Sequence, residues 1–207
     1  MVPAVMVLGL VAEGTAWWVV ATRGVSIWAA IIPVAGSMGI AALALGPPSL
    51  SQEVALGPAG AAGAAAGAGL YLATLGFVRA IRGWPTFREH AIRTYLLQGA
   101  LPSAFALLLS MVSVFGEELF WRGLFRAHAV SGAPVASALV AWGAFVTANL
   151  PSMNLAIVSG AVVGGAAWTA LALWSNGVLA SLVCHGVWTA LMLIAPVVGW
   201  RSEGAGE

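Results

Sequence analysis

From Ala127 to Trp200 the sequence contains no Asp, Glu, Lys or Arg. A soluble domain is roughly 25% charged and about 45–50% apolar, whereas this chain is 7% charged and 61% hydrophobic over 207 residues, with a mean hydropathy of +0.98. A stretch of that length has no surface to offer water. The fold class it dictates is an all-α, polytopic bundle of transmembrane helices, because a bilayer core leaves every backbone N–H and C=O to be satisfied within the chain. A membrane helix takes ~20 mostly apolar residues. Applied along the chain, that window predicts about seven spans: Val2–Thr22, Val25–Gly46, Leu56–Val78, Tyr95–Phe115 continuing into a charged motif, Pro134–Leu150, Leu155–Trp174 and Gly177–Gly199. The first is read as a retained span, since no basic segment precedes its apolar run and Glu13 sits inside it.

The breaks between spans are set by residues that cannot continue a helix. Gly46-Pro47-Pro48-Ser49 is a firm turn, and Asn149-Leu150-Pro151-Ser152 and Ser175-Asn176-Gly177 are further punctuation. Gly63-xxx-Gly67 and Gly160-xxx-Gly164 are small-residue patterns that let helix backbones approach, and packing is their expected role. Arg79, Arg82, Arg88 and Arg93 face a single Glu89 in one segment. By the positive-inside rule that segment is a cytoplasmic loop, which also places Arg23 inside and the N-terminus outside. Trp84 and Phe87 suit a headgroup-level position for it. A net charge of +1, with no basic patch interleaved with aromatics, gives no reason to expect a nucleic-acid partner. The single cysteine, Cys184, excludes an internal disulfide and a Cys-rich zinc site, and its expected role is packing. Every base is Arg and every acid is Glu, a bias that, with 26 glycines, fits a GC-rich bacterial genome.

Against this background Glu117-Glu118-Leu119-Phe120-Trp121-Arg122 stands out. An ionised carboxylate at membrane depth costs ~2.5–3.5 kcal/mol even on the lenient insertion scale, so a retained pair is a functional-site candidate by default. On a helix Glu118 and Arg122 are four apart and share a face, acid before base. Glu117 lies about 100° round from Glu118, is not neutralised by that pairing and is free to hold or activate water, the work of a general base. The alternative is an ordinary interfacial charge cluster completed by Arg126 and His128. Two later helices add polar groups at i, i+4 spacing: Phe145 with Asn149, and His185 with Thr189.

The three motifs, in this order on successive intramembrane stretches, resemble the CAAX protease and bacteriocin-processing family of glutamate-dependent intramembrane proteases. The likeness runs from about Leu96 to Pro196 and is carried by Phe115-Gly116-Glu117-Glu118-Leu119-Phe120-Trp121-Arg122-Gly123 and by the turn and helix from Leu173 to His185. It implies that Glu117 is the general base on the attacking water, that Glu118 and Arg122 brace the helix or position substrate, and that His185 stabilises the oxyanion. Asn149 stands where the family has a histidine that shares the water, and Thr189 where it has Asn or Asp. An amide holds water but cannot take its proton and is a poor metal ligand, which favours a metal-free glutamate mechanism with no cofactor. The implied partner is a membrane-anchored peptide or protein within the lipid bilayer of a bacterial cytoplasmic membrane.

Other readings compete. One is a non-catalytic family member that binds a membrane partner through the same cavity. A rhomboid-type serine protease lacks its Gly-x-Ser-Gly nucleophile, and a proton-relay transporter lacks an internal repeat. The expected organisation is residues 1–94 as N-terminal helices with the basic loop, 95–200 as the protease-like core and 201–207 as a polar tail. Apart from Glu13 the first three helices carry no candidate chemistry. Glu13→Gln is expected to leave fold and function intact.

Overall fold

The computed structural model describes residues 1–96 and 103–197. The described residues form helices and turns: α1 (Val2–Arg23), α2 (Ile27–Leu45), α3 (Leu56–Ala80), α4 (Pro85–Leu96), α5 (Ser103–His128), α6 (Pro134–Ser152), α7 (Leu155–Ser175) and α8 (Leu179–Ile194). All but α4 and α8 are long and apolar enough to cross a membrane. With 16 residues, α8 reaches only ~24 Å at 1.5 Å per residue, short of the ~30 Å hydrocarbon core. The protein is therefore a multi-pass helical bundle. The far end of the expected seventh span and the polar tail lie outside the described residues.

The fourth span continues into the charged motif as expected: helix α5 runs on to His128, which puts the motif inside the span. Glu118 and Arg122 meet buried partners there, so the helix has no need to end where they begin. Two expectations are corrected. Tyr95, expected to open that span, belongs to α4, and residues 97–102 of the expected span lie outside the described residues. The arginine-rich segment is not a simple loop either. Its second half is α4, an amphipathic helix that buries Phe87, Ala91 and Tyr95 against Val78, Ile81, Ala156 and Met192, with Phe87 edge-on to Phe77 at 5.4 Å.

Helix α4 also closes a gap in the backbone ledger. The turn into α7 exposes the unpaired N–H groups of a helix start. Asn154 caps them, its Oδ1 accepting from Ala156 N at 2.9 Å and Ile157 N at 3.3 Å. His90 Nδ1 accepts from Leu155 N at 3.0 Å, and Asn154 Nδ2 donates to the His90 carbonyl at 3.0 Å. Arg93 donates to the Ala21 carbonyl at 3.2 Å, so the basic segment and Arg23 lie on one face of the bundle. On the opposite face the Pro-Pro turn pairs with the turn into α8: Val178 N donates to Ser49 O at 3.0 Å and Leu179 N to Leu50 O at 2.8 Å. Gly177 is required there, since a Cβ would meet the Leu50 carbonyl.

Close helix contacts occur where side chains are missing. Gly63 and Gly67 of α3 lie on the backbone of α8, and Gly39 of α2 faces Gly116 of α5. Around α5 the core gathers Met6, Met38, Phe120, Trp121, Phe125, Phe145, Trp168 and Cys184. A Cβ at Gly67 would stand 2.6 Å from the Cys184 carbonyl, whereas one at Gly60 meets nothing within 4 Å. Gly67→Ala is thus expected to lower stability by ~1–3 kcal/mol, measured as a reduced Tm in detergent, and Gly60→Ala to leave Tm unchanged or slightly raised.

Candidate functional site

The site is built around a change of helical register. From Glu118 to Phe125 helix α5 is a π-helix, and Leu119 alone of its eight residues is not buried. A π turn carries more residues per turn than an α turn and occurs mostly as short insertions, often at functional sites. Two glycines make room for it: Gly116 against Ala35 of α2, and Gly123 against Pro48. The segment turns Phe120 and Trp121 into the aromatic core and Glu118 and Arg122 toward α7 and α8.

Glu118 and Arg122 are 0% and 1% exposed. Arg122 Nη1 lies 3.3 Å from Glu118 Oε1, an ion pair without hydrogen-bond alignment, and the same oxygen lies 3.0 Å from His185 Nδ1. An ionised carboxylate only accepts, so Nδ1 carries the proton and Nε2 is the nitrogen left to face the site. His185 stacks on Trp168 with centroids 3.6 Å apart and planes 16° apart. The Arg122 guanidinium sits over Phe145 at 4.3 Å and Trp168 at 5.3 Å and donates to the Gly165 carbonyl at 3.4 Å. One cation is thus held by a carboxylate, a carbonyl and two ring faces, all out of water. Glu118 Oε2 is buried with no hydrogen-bond partner among the described residues.

Glu117, the last α-helical residue before the π segment, is half-buried and accepts from Ser113 Oγ at 2.8 Å. It lies close enough to His185, Arg122 and Glu118 to feel their charges. Asn149 of α6, 5% exposed, does not join that group directly. Its Nδ2 donates to the Phe145 carbonyl at 2.9 Å and to Glu13 Oε1 at 3.1 Å. Thr189 is half-buried on α8 and makes no side-chain hydrogen bond to another described residue.

Glu13, expected to be dispensable, is joined to a candidate site residue. Its carboxylate is 3% exposed, accepts from Trp121 Nε1 at 2.8 Å as well as from Asn149, and senses the charge of Glu117. Gly9 of α1, packed on the Phe120 ring, permits this approach. The signal was present as the lone acid in the first span, but its partners lie 108 and 136 residues on, where no spacing rule reaches. Trp121 and Trp168 carried no polar pattern that marked them. Cys184 is buried in the core, as expected. His90 serves the α7 cap, and His128 Nδ1 pairs with the Leu124 carbonyl at 2.9 Å. No group of three or more metal-ligating residues occurs among the described residues.

A glutamate pair, an arginine and a histidine shared between α5 and α8 define a polar site inside a membrane bundle. Residues 99–191, a little under half of the chain, match the family model described as Rce1-like, type II CAAX prenyl endopeptidase Rce1-like. Over that stretch, which carries all three motifs, the chain is similar to this family of proteases. No curated protein and no solved structure matches it.

The ion cluster makes a stability prediction. Arg122→Met strands Glu118 in the core and is expected to cost ~3–5 kcal/mol, whereas joint replacement of Glu118 and Arg122 by Met restores much of that loss. Thermal unfolding of both proteins in one detergent measures the difference.

Proposed function

We propose that the protein is an intramembrane endopeptidase of the glutamate type, resident in a bacterial cytoplasmic membrane and acting on a membrane-anchored peptide or protein. The observation that carries the reading is Glu117, held by a hydroxyl alone at 2.8 Å beside a charge-paired Glu118–Arg122–His185 cluster, within the stretch that matches a protease family.

In this reading the Glu117 carboxylate takes a proton from a water as its oxygen adds to the scissile carbonyl carbon. The carbonyl oxygen becomes an oxyanion, toward which His185 directs Nε2, donating when the ring carries both protons. Glu117 then passes the proton to the amide nitrogen as the C–N bond breaks, leaving a carboxylic acid and an amine. Glu118 fixes the His185 ring through Nδ1, and Arg122 braces Glu118. Asn149 holds the water through its amide, and the Thr189 hydroxyl, one turn beyond His185, adds a donor near the oxyanion. No metal or cofactor enters the scheme.

The test is proteolysis of an internally quenched prenylated peptide ending in a CAAX sequence, in liposomes, with a chelator in parallel. Glu117→Gln keeps the shape of the site but cannot take the proton, and is expected to lower kcat by about 10²–10⁴. His185→Ala removes a donor commonly worth ~2.7–4 kcal/mol. Asn149→His, which adds a nitrogen able to share the water, is expected to raise the rate. Peptide that stays intact with wild type, Glu117→Gln and Asn149→His, yet binds all three, would replace the enzyme with a membrane-peptide binding protein.

A further inference from the structure

Glu13 belongs to α1, outside residues 99–191, and a bare carboxylate in that span is costly unless it serves something. Both its oxygens are engaged, Oε2 by Trp121 Nε1 at 2.8 Å and Oε1 by Asn149 Nδ2 at 3.1 Å. Asn149 Nδ2 also donates to the Phe145 carbonyl at 2.9 Å. A carboxamide nitrogen has two hydrogens and its oxygen has none, so these two acceptors consume both hydrogens and fix which way the amide faces. Turned over, Oδ1 would confront a helix carbonyl and a carboxylate. Asn149 Oδ1 is left without a hydrogen-bond partner among the described residues. Phe145 alone satisfies one hydrogen; it is Glu13 that holds the second and locks the orientation.

We propose that Glu13 is a positioning residue of the hydrolytic site, acting through Asn149: it holds the amide so that Oδ1 accepts a hydrogen bond from the reacting water. The proposal rests on the endopeptidase reading. Its proton stays on the water until Glu117 removes it, and Glu13 takes part in no bond that forms or breaks. A glutamine at position 13 presents one acceptor and one donor to two N–H groups, so Trp121 Nε1 and Asn149 Nδ2 can no longer both be satisfied and the clamp on the Asn149 amide is weakened.

The same quenched prenylated peptide in liposomes provides the test, as a cycle of Glu13→Gln, Asn149→Ala and the double variant. Glu13→Gln is expected to lower kcat about tenfold with KM within about twofold, and to add no further loss once Asn149 is alanine. Trp121→Phe, which frees only the other oxygen of Glu13, is expected to give a smaller loss that also vanishes in the Asn149→Ala background. It answers the question should Glu13→Gln not fold. An active wild type whose kcat is unmoved by these changes, or falls by equal factors in both backgrounds, overturns the positioning role and leaves the endopeptidase reading standing. A wild type that leaves the peptide intact removes the reading and the role together.

Discussion

A charge buried at membrane depth must bring its counter-groups with it, and in this protein that requirement arranges the helices. Glu118 and Arg122 sit in the middle of α5, where lipid offers nothing to either. Arg122 is met by the Phe145 ring from α6 and by Trp168 and the Gly165 carbonyl from α7, while Glu118 is met by His185 from α8. Three helices converge on one ion pair, and the order in which the chain supplies them sets the topology of that half of the bundle. Replacing such a pair by hydrocarbon is often neutral or stabilising. Its retention is therefore better explained by what it orients, the His185 ring, than by its contribution to stability.

The close approach of those helices depends on where the chain has no side chains. Gly116 lets α2 lie against the start of the π segment, Gly123 admits Pro48, and Gly63 and Gly67 let α3 seat on α8 behind His185. In a bilayer, helices gain little by hiding apolar surface from one another, so contact area at small residues supplies the attraction. The same glycines that permit packing thus hold both faces of α8, one against α3 and one carrying His185 toward Glu118.

Length and hydropathy made most of the spans legible, because the bilayer fixes how many apolar residues a helix needs. The Glu118–Arg122 pairing was legible too, since four-residue spacing brings side chains together even through the π register. Four features were not. Helix α4 is short and amphipathic, and its arginines resemble a loop until Asn154 and Leu155 give it backbone partners to satisfy. The π segment arises from packing around Gly116 and Gly123, and no local pattern encodes an i→i+5 bond. Spacing also placed Thr189 on the face of His185, yet its side chain joins no described hydrogen bond, because a shared helical face does not decide which group reaches a neighbour. Glu13 was visible as a charge, but its meaning lay in residues more than a hundred positions away.

The three carboxylates of the site differ in how completely their charge is answered, and that gradation explains their separation of roles. Glu118 faces an arginine and a histidine through Oε1, and its Oε2 is sealed in the core without a donor. Glu13 faces two N–H donors, one to each oxygen. Glu117 has a serine hydroxyl on one oxygen and no hydrogen-bond donor on the other among the described residues. A carboxylate clamped by fixed donors keeps its geometry rigid, which suits a brace. Glu117 is only half-buried, so its donor-free oxygen can accept from an incoming molecule. That incomplete solvation is why the base in our proposal is Glu117, and why its neighbours, though chemically identical, serve to hold the histidine and the amide on either side of it.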